Sequence, residues 1–251
     1  MTSPQARALC ELNTRFYADQ AADFSATRQS TWPGWQHLLE VLPERSQLSV
    51  LDLACGNLRF ERLLAAARPE TAFRFFAVDS CDALLQNDLQ TSYQHLDLCA
   101  VLSESNANPA RSSAGDTLPL AAALDAPACD LAVCFGFMHH LPLAEWRLAL
   151  LKSLLAKTKA GGPVALSFWQ FAKDPRILAK AAPLPADAGG GPGDYLLGWQ
   201  GQAALRYCHS FADSEIDALA AAVSEQAELL ARFSADGKTH NLNHYLIFRK
   251  R

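Results

Sequence analysis

Apolar runs that end at an acid or a glycine alternate along this chain with stretches of helical periodicity. Leu9, Leu12 and Phe16 recur at helical spacing within residues 4–24, and "WQHLLEVL" predicts a second short helix with Pro33 favouring its first turn. "LSVLDLAC" (48–55) is a continuous apolar run, the mark of a strand buried on both faces. A helix is expected at "LRFERLLAAA", a strand at "FRFFAVD", a short helix at "CDALLQNDL" and a third strand at "YQHLDL". "CDLAVCFGF" and "GPVALSFWQF" read as strands four and five, with the helix "PLAEWRLALLKSLLAKT" between them. A helix at "DSEIDALAAAV", capped by Asp213 or Ser214, precedes two closing strands, "AELLARFSA" and "NHYLIFRK". Strand–helix alternation of this kind predicts a doubly wound α/β fold with a mostly parallel, seven-stranded sheet.

Two stretches interrupt the alternation. Residues 103–127 are rich in Ser, Ala, Asn and Pro and predict a surface insertion, and 172–201 predicts an irregular segment whose "ADAGGGPGD" is flexible. Residues 1–47 are expected to form an N-terminal helical lid ahead of a domain over 48–251.

Composition narrows the class. The chain has 251 residues, half of them hydrophobic, which suffices for one domain with a large core. Its formal net charge of −4 lacks the overall footprint of a nucleic-acid binder. The seven cysteines are scattered singly, with no CxxC pair, which favours buried thiols in a reducing compartment over disulfides or a zinc site. There is no apolar leader and no run long enough to span a membrane, so a cytoplasmic protein is expected.

Candidate chemistry gathers at the strand ends, where open parallel sheets bind ligands. Strand one ends in "DLACGN", in which Gly56 permits a tight turn and the next helix offers free N–H groups. Asp79, at the end of strand two, is placed to accept from a ribose diol, and Asp97 and Leu98 after strand three to receive an adenine edge. Asp52 and Asp79 taken singly would be a loop cap and a turn former. Together the three ends favour a nucleoside ligand. A dinucleotide GxGxxG fingerprint is absent.

The series "VLDLACGN", "AVD", "LDL", "LAVCFGFMHHL" and "GGPVALSFW" resembles the class I S-adenosylmethionine-dependent methyltransferases over about residues 48–170. The likeness implies a Rossmann-like methyltransferase fold and S-adenosyl-L-methionine as cofactor, held by Asp52, Ala54, Cys55, Gly56, Asn57, Asp79, Ser80, Asp97, Leu98 and Phe135. Ala54 and Leu58 stand where that superfamily usually has glycine, which leaves open a catalytically silent adenosyl-binding protein.

Four further motifs are similar, in order, to the tRNA wobble-uridine carboxymethyl methyltransferases: "FSATRQSTW", "FMHHL", "GDYLLGW" and "RYCH". The resemblance implies transfer to the carboxylate of a 5-carboxymethyl-type uridine, and in some organisms a small activator subunit. Arg206 would clamp the carboxylate, with His140 or His209 as hydrogen-bond partners, and Asp194 would shape the pocket. Of the histidine pair, His140 rather than His139 is expected to face the substrate. Arg28 would meet the methionine carboxylate of the cofactor, Trp32 would wall the pocket and Tyr17 would lie over the donor. Lys173, Arg176 and Lys180 near the mouth are candidate phosphate contacts. A small-molecule O- or N-methyltransferase, with 172–201 as a lid, remains the alternative.

Overall fold

The structure is a computed structural model that describes residues 1–86, 89–107, 118–199 and 204–251. Helix α1 (Ser3–Ala26) begins at a capping box, in which Thr2 and Gln5 exchange side-chain and backbone hydrogen bonds. It buries Ala6, Leu9, Cys10, Asn13 and Phe16, one face at helical spacing. A 3₁₀ turn at Pro33–Trp35 leads into α2 (Gln36–Leu39). Then come β1 (Gln47–Leu53), α3 (Arg59–Ala67), β2 (Ala72–Asp79) and β3 (Thr91–His95). They are followed by α4 (Leu98–Ala107), α5 (Pro119–Ala123), β4 (Leu131–Cys134), α6 (Ala144–Ala156) and β5 (Pro163–Trp169). A short α7 (Pro175–Leu178) precedes β6 (Ala181–Pro183), β7 (Asp194–Gly198) and β8 (Leu205–His209). Helix α8 (Asp213–Ala221) leads to β9 (Ala227–Ala235) and β10 (Asn243–Lys250), the spans expected for the closing strands.

The main sheet has seven strands in the order β3-β2-β1-β4-β5-β10-β9. The first five run parallel, and β10 is antiparallel to both neighbours. Alternate residues of each central strand enter opposite cores. Leu51, Leu53, Ala132, Cys134, Val164 and Leu166 face α4 to α6, where Trp146, Leu150 and Leu154 meet them. Val50, Leu131, Val133 and Ala165 face the other way, against Trp35, Leu38, Phe60 and Leu64. Both faces are dry, which is why these strands read as unbroken apolar runs. Residues 33–42 therefore form part of a layer on the sheet, and the packing does not follow the expected boundary at residue 47.

Several expectations are corrected. The segment 103–127 is not simply a surface insertion: 103–107 belong to α4, and Leu120, Ala121, Leu124 and Ala126 are core residues, while 108–117 lie outside the described residues. At "CDALLQNDL" only a 3₁₀ turn over Asp82–Leu84 forms, with 87–88 outside the described residues. The cap of α8 is Ala212, whose N–H donates to Glu215. The segment expected to be irregular over 172–201 is ordered within 172–199, where β6 and β7 join β8 in a second, antiparallel sheet, and 200–201 lie outside the described residues. Its glycine-rich turn is specified by close packing. A Cβ on Gly190 would lie 2.0 Å from the Leu184 carbonyl oxygen, and Gly191 N–H donates to Asp194.

Candidate active site

The turn after β1 is left-handed three times within five residues, at Ala54 (φ 61°), Gly56 (φ 56°) and Leu58 (φ 60°). The two positions that lack the superfamily's glycine thus keep a backbone that glycine favours. Each costs about 1–2 kcal/mol with a side chain present. Leu58 offsets this by packing wholly buried against Cys55 and Ala77. At Gly56 an added Cβ would meet nothing within 4 Å, so the turn leaves room beside its backbone. Asp79 braces it, accepting from Gly56 N–H at 2.8 Å and from Cys81 N–H at 2.9 Å.

This turn opens on a cavity of about 770 Å³, lined by the C-terminal ends of β1, β2 and β4, by α1 and the 27–35 segment, and by Arg206 of β8. The size falls within the ~300–1,000 Å³ span of small-molecule sites. All thirteen residues expected to hold a cofactor line it: Tyr17, Arg28, Trp32, Asp52, Ala54, Cys55, Gly56, Asn57, Asp79, Ser80, Asp97, Leu98 and Phe135. Asp97 also caps α4, accepting from Ala100 N–H. The Arg28 carbonyl accepts from Asn57 Nδ2 at 2.9 Å, which ties the 27–35 segment to the β1 turn. Trp32 lies over Gly136 in the turn after β4, where an added Cβ would be 3.0 Å from its ring.

The opposite wall is cationic and aromatic. Arg206 is 4% exposed, donates to the Tyr17 hydroxyl at 2.9 Å and lies against the rings of Phe16, Tyr17, Trp169 and Trp199. Arg28 stacks over Trp199 at 4.9 Å, and its pKa is lowered by burial and then by the charge of Arg206. Both guanidinium groups line the cavity, so like charges converge on it.

Of the expected catalytic set, His140 and Arg206 reach the cavity, whereas His209 and Asp194 do not line it. His209 is instead buried between two acids, Asp194 at 2.7 Å on Nδ1 and Glu215 at 2.9 Å on Nε2. Asp194 also accepts from the Tyr207 hydroxyl, so this network braces the β7–β8 sheet.

Both histidines of the pair line the cavity, and they differ in how their ring nitrogens are engaged. His140 is saturated: Nδ1 lies 3.0 Å from both the Tyr207 carbonyl oxygen and Asn13 Nδ2, and Nε2 lies 2.8 Å from the Tyr17 hydroxyl. Burial pulls its pKa down to about 3, so the ring is neutral. Neither ring nitrogen of His139 has a hydrogen-bond partner among the described residues. Nδ1 is buried, which leaves Nε2 as the nitrogen able to serve the cavity that His139 lines. Burial above all, with His140 and the Arg206 cation beside it, holds its pKa well below the histidine range.

His139, His140 and Cys208 also bring possible metal-ligating atoms within 4.8 Å of one another. The set suits a cation poorly. His140 is already bonded at both nitrogens, and burial raises the Cys208 thiol to about 11.

Sequence reasoning also missed Asn13, which lines the cavity and exchanges two hydrogen bonds with the Tyr207 backbone. One signal was available, a polar residue inside the apolar stripe of α1.

No family model matches the chain. A protein of Encephalitozoon cuniculi (strain GB-M1) with a provisional methyltransferase name is 27% identical over 203 residues, 78% of this chain and 79% of that protein. The tRNA (carboxymethyluridine(34)-5-O)-methyltransferase ALKBH8 of Mus musculus is 25% identical over 158 residues, which are 63% of this chain but only 20% of the mouse protein. Among solved structures, the 1,6-didemethyltoxoflavin-N1-methyltransferase of Burkholderia thailandensis, bound to its acceptor and S-adenosylhomocysteine, superposes with a TM-score of 0.60 at 14% identity. That match covers 98% of this chain and 90% of the other.

Proposed function

We propose that this S-adenosylmethionine-dependent methyltransferase acts on an acceptor that presents a carboxylate to Arg206. The observation that carries the reading is that Arg206 and Arg28 line one wall of the cavity, where burial and then the Arg206 charge lower the Arg28 pKa and an anionic group would be received by two cations. The cofactor fits the opposite wall, where Asp52, Asp79 and Asp97 end their strands around a turn with no side chain at Gly56. When bound, it supplies an electrophilic methyl group.

The rest falls to the chain. A carboxylate is ionised at neutral pH, with a reference pKa of about 4, and needs no base. It must be stripped of water and aligned. Arg206 receives one carboxylate oxygen, its guanidinium steadied by the Tyr17 hydroxyl and the surrounding rings. His139 donates through Nε2 to the acceptor, and Trp169, whose ring centroid is 4.9 Å from that of His139, excludes water. Arg28 takes the cofactor's own carboxylate. His140 acts through Tyr17, as a positioning residue.

The identity of the acceptor is the finer part of the proposal. Likeness to the mouse enzyme, whose name specifies a carboxymethyluridine of tRNA, and the four motifs in order support a wobble uridine. Two of the expected phosphate contacts are paired within the chain, Lys173 with Asp213 and Arg176 with Asp174. That pairing favours the second reading, a small carboxylated metabolite. Transfer of labelled methyl from the cofactor to total tRNA, set beside a metabolite extract, separates the two. Base-labile label in tRNA is expected for a carboxyl ester, and label confined to amines or hydroxyls overturns the carboxylate reading.

A further inference from the structure

Asp52 stands at the end of β1 and lines the cavity, while Glu61 lies on α3 and does not. The two carboxyl groups are 4% and 0% exposed. Both oxygens of Glu61 and Oδ1 of Asp52 are shielded from solvent and have no hydrogen-bond donor. The two carboxyl groups interact side chain to side chain, and two such buried acceptors gain a bond only if a proton lies between them.

The surroundings add to this. Asp79 approaches from β2, the thiol of Cys55 from the β1 turn and that of Cys134 from β4, and Arg62 is the cation nearby on α3. Burial, then the Glu61 charge, lifts Asp52 well above the carboxylate range, and burial lifts Glu61 to about 7.

We propose that Asp52 and Glu61 are a shared-proton pair that discharges its proton when a positively charged ligand settles against the Asp52 wall. A cation at Asp52 replaces the proton as the compensating charge, so the carboxylate ionises and a proton leaves to solvent. Charge is conserved within the site, and the dry cluster never holds two uncompensated carboxylates. The ligand is the cofactor, which carries an ammonium and a sulfonium. This inference rests on cofactor binding alone and is independent of the acceptor.

The test is calorimetric titration of the full chain with S-adenosylmethionine and with S-adenosylhomocysteine, in two buffers of contrasting ionisation enthalpy. At about pH 6, binding should release about one proton, and the release should fade at alkaline pH where the pair is already ionised. Release with both ligands assigns the effect to the ammonium, and release with S-adenosylmethionine alone to the sulfonium. Glu61→Gln gives Asp52 an amide donor, so the release should fall to near zero while the affinity persists. Infrared spectroscopy of the unliganded wild type should show a protonated-carboxyl band at about pH 6 that Glu61→Gln abolishes. Buffer-independent heats overturn the proposal, and so does a wild type without that band. A chain that shows the band yet binds neither ligand retains the proton pair, but overturns its coupling to the cofactor.

Discussion

The two walls of the cavity solve the same problem, charge in a dry place, in opposite ways. The strand-end wall carries Asp52 and Asp79, with Glu61 of α3 buried outside the cavity lining, and burial pushes all three upward in pKa. The wall formed by α1, β4 and β8 gathers Arg206 and Arg28 with two histidines that burial holds neutral. One wall stores a proton and the other refuses one. Their contributions to stability therefore run in opposite directions with pH. Glu61, raised from 4.5 to about 7, contributes stability that is present below about 4.5 and lost as pH rises through about 7. His140, lowered from 6.5 to about 3, contributes stability that is present above about 6.5 and lost as pH falls toward 3.

The strongest way to break the comparison is to discharge the cationic wall. Arg206→Ala should lower methyl transfer by ~100-fold or more, while the cofactor dissociation constant moves less than ~3-fold. Steady-state kinetics beside calorimetry reads both, and equal losses in the two would place Arg206 on the cofactor instead.

Next in size is the pH response. Glu61→Gln should remove the loss of stability between about pH 4.5 and 7, an effect of up to ~3 kcal/mol from a shift of that extent. Urea unfolding across that range measures it. An unchanged slope would show that Glu61 does not titrate with folding.

The histidines should then separate. His140→Ala loses one bond at each ring nitrogen, Nε2 with the Tyr17 hydroxyl and Nδ1–H to the Tyr207 carbonyl, and should cost ~1–3 kcal/mol of stability. His139→Ala should leave unfolding nearly unchanged and lower turnover ~10-fold, with partial rescue by His139→Gln. The reverse pattern would restore His140 to the substrate.

Arg28→Ala should weaken cofactor binding by ~3- to 10-fold with the thermal midpoint little altered, since its carbonyl, not its side chain, holds Asn57. The smallest effect belongs to Ala54→Gly. It relieves a left-handed φ yet frees the unfolded chain, and the two should leave stability within ~1 kcal/mol of wild type by chemical denaturation.

Much of this architecture was legible because burial on both faces writes itself into composition. β1 and β5 are largely apolar because their buried residues enter one core or the other, and β10 is buried over most of its length, whereas the edge strand β9 is mostly exposed or half-buried. The strand-end wall was legible for a related reason. Its residues lie within a few positions of strand ends, so local order alone brings Asp52, Asp79 and Asp97 together. The segments misread, 103–127 and 172–201, have Ser, Pro and Gly at positions where packing is set by distant backbone, as at Gly190 against Leu184.

The chain by itself therefore determined the sheet, the turn after β1 and the set of side chains around it. Only the tertiary structure decided between neighbours. His139 and His140 are adjacent in sequence and alike in chemistry, yet Asn13 and Tyr17 from α1 and the Tyr207 carbonyl from β8 saturate one and leave the other. His209 and Asp194, which a linear motif placed at the chemistry, are drawn into a buried bracket by Glu215 and Tyr207. Periodicity reports which way a residue faces. It does not report which partner, folded in from 67 or 123 positions away, has already taken its hydrogen bonds.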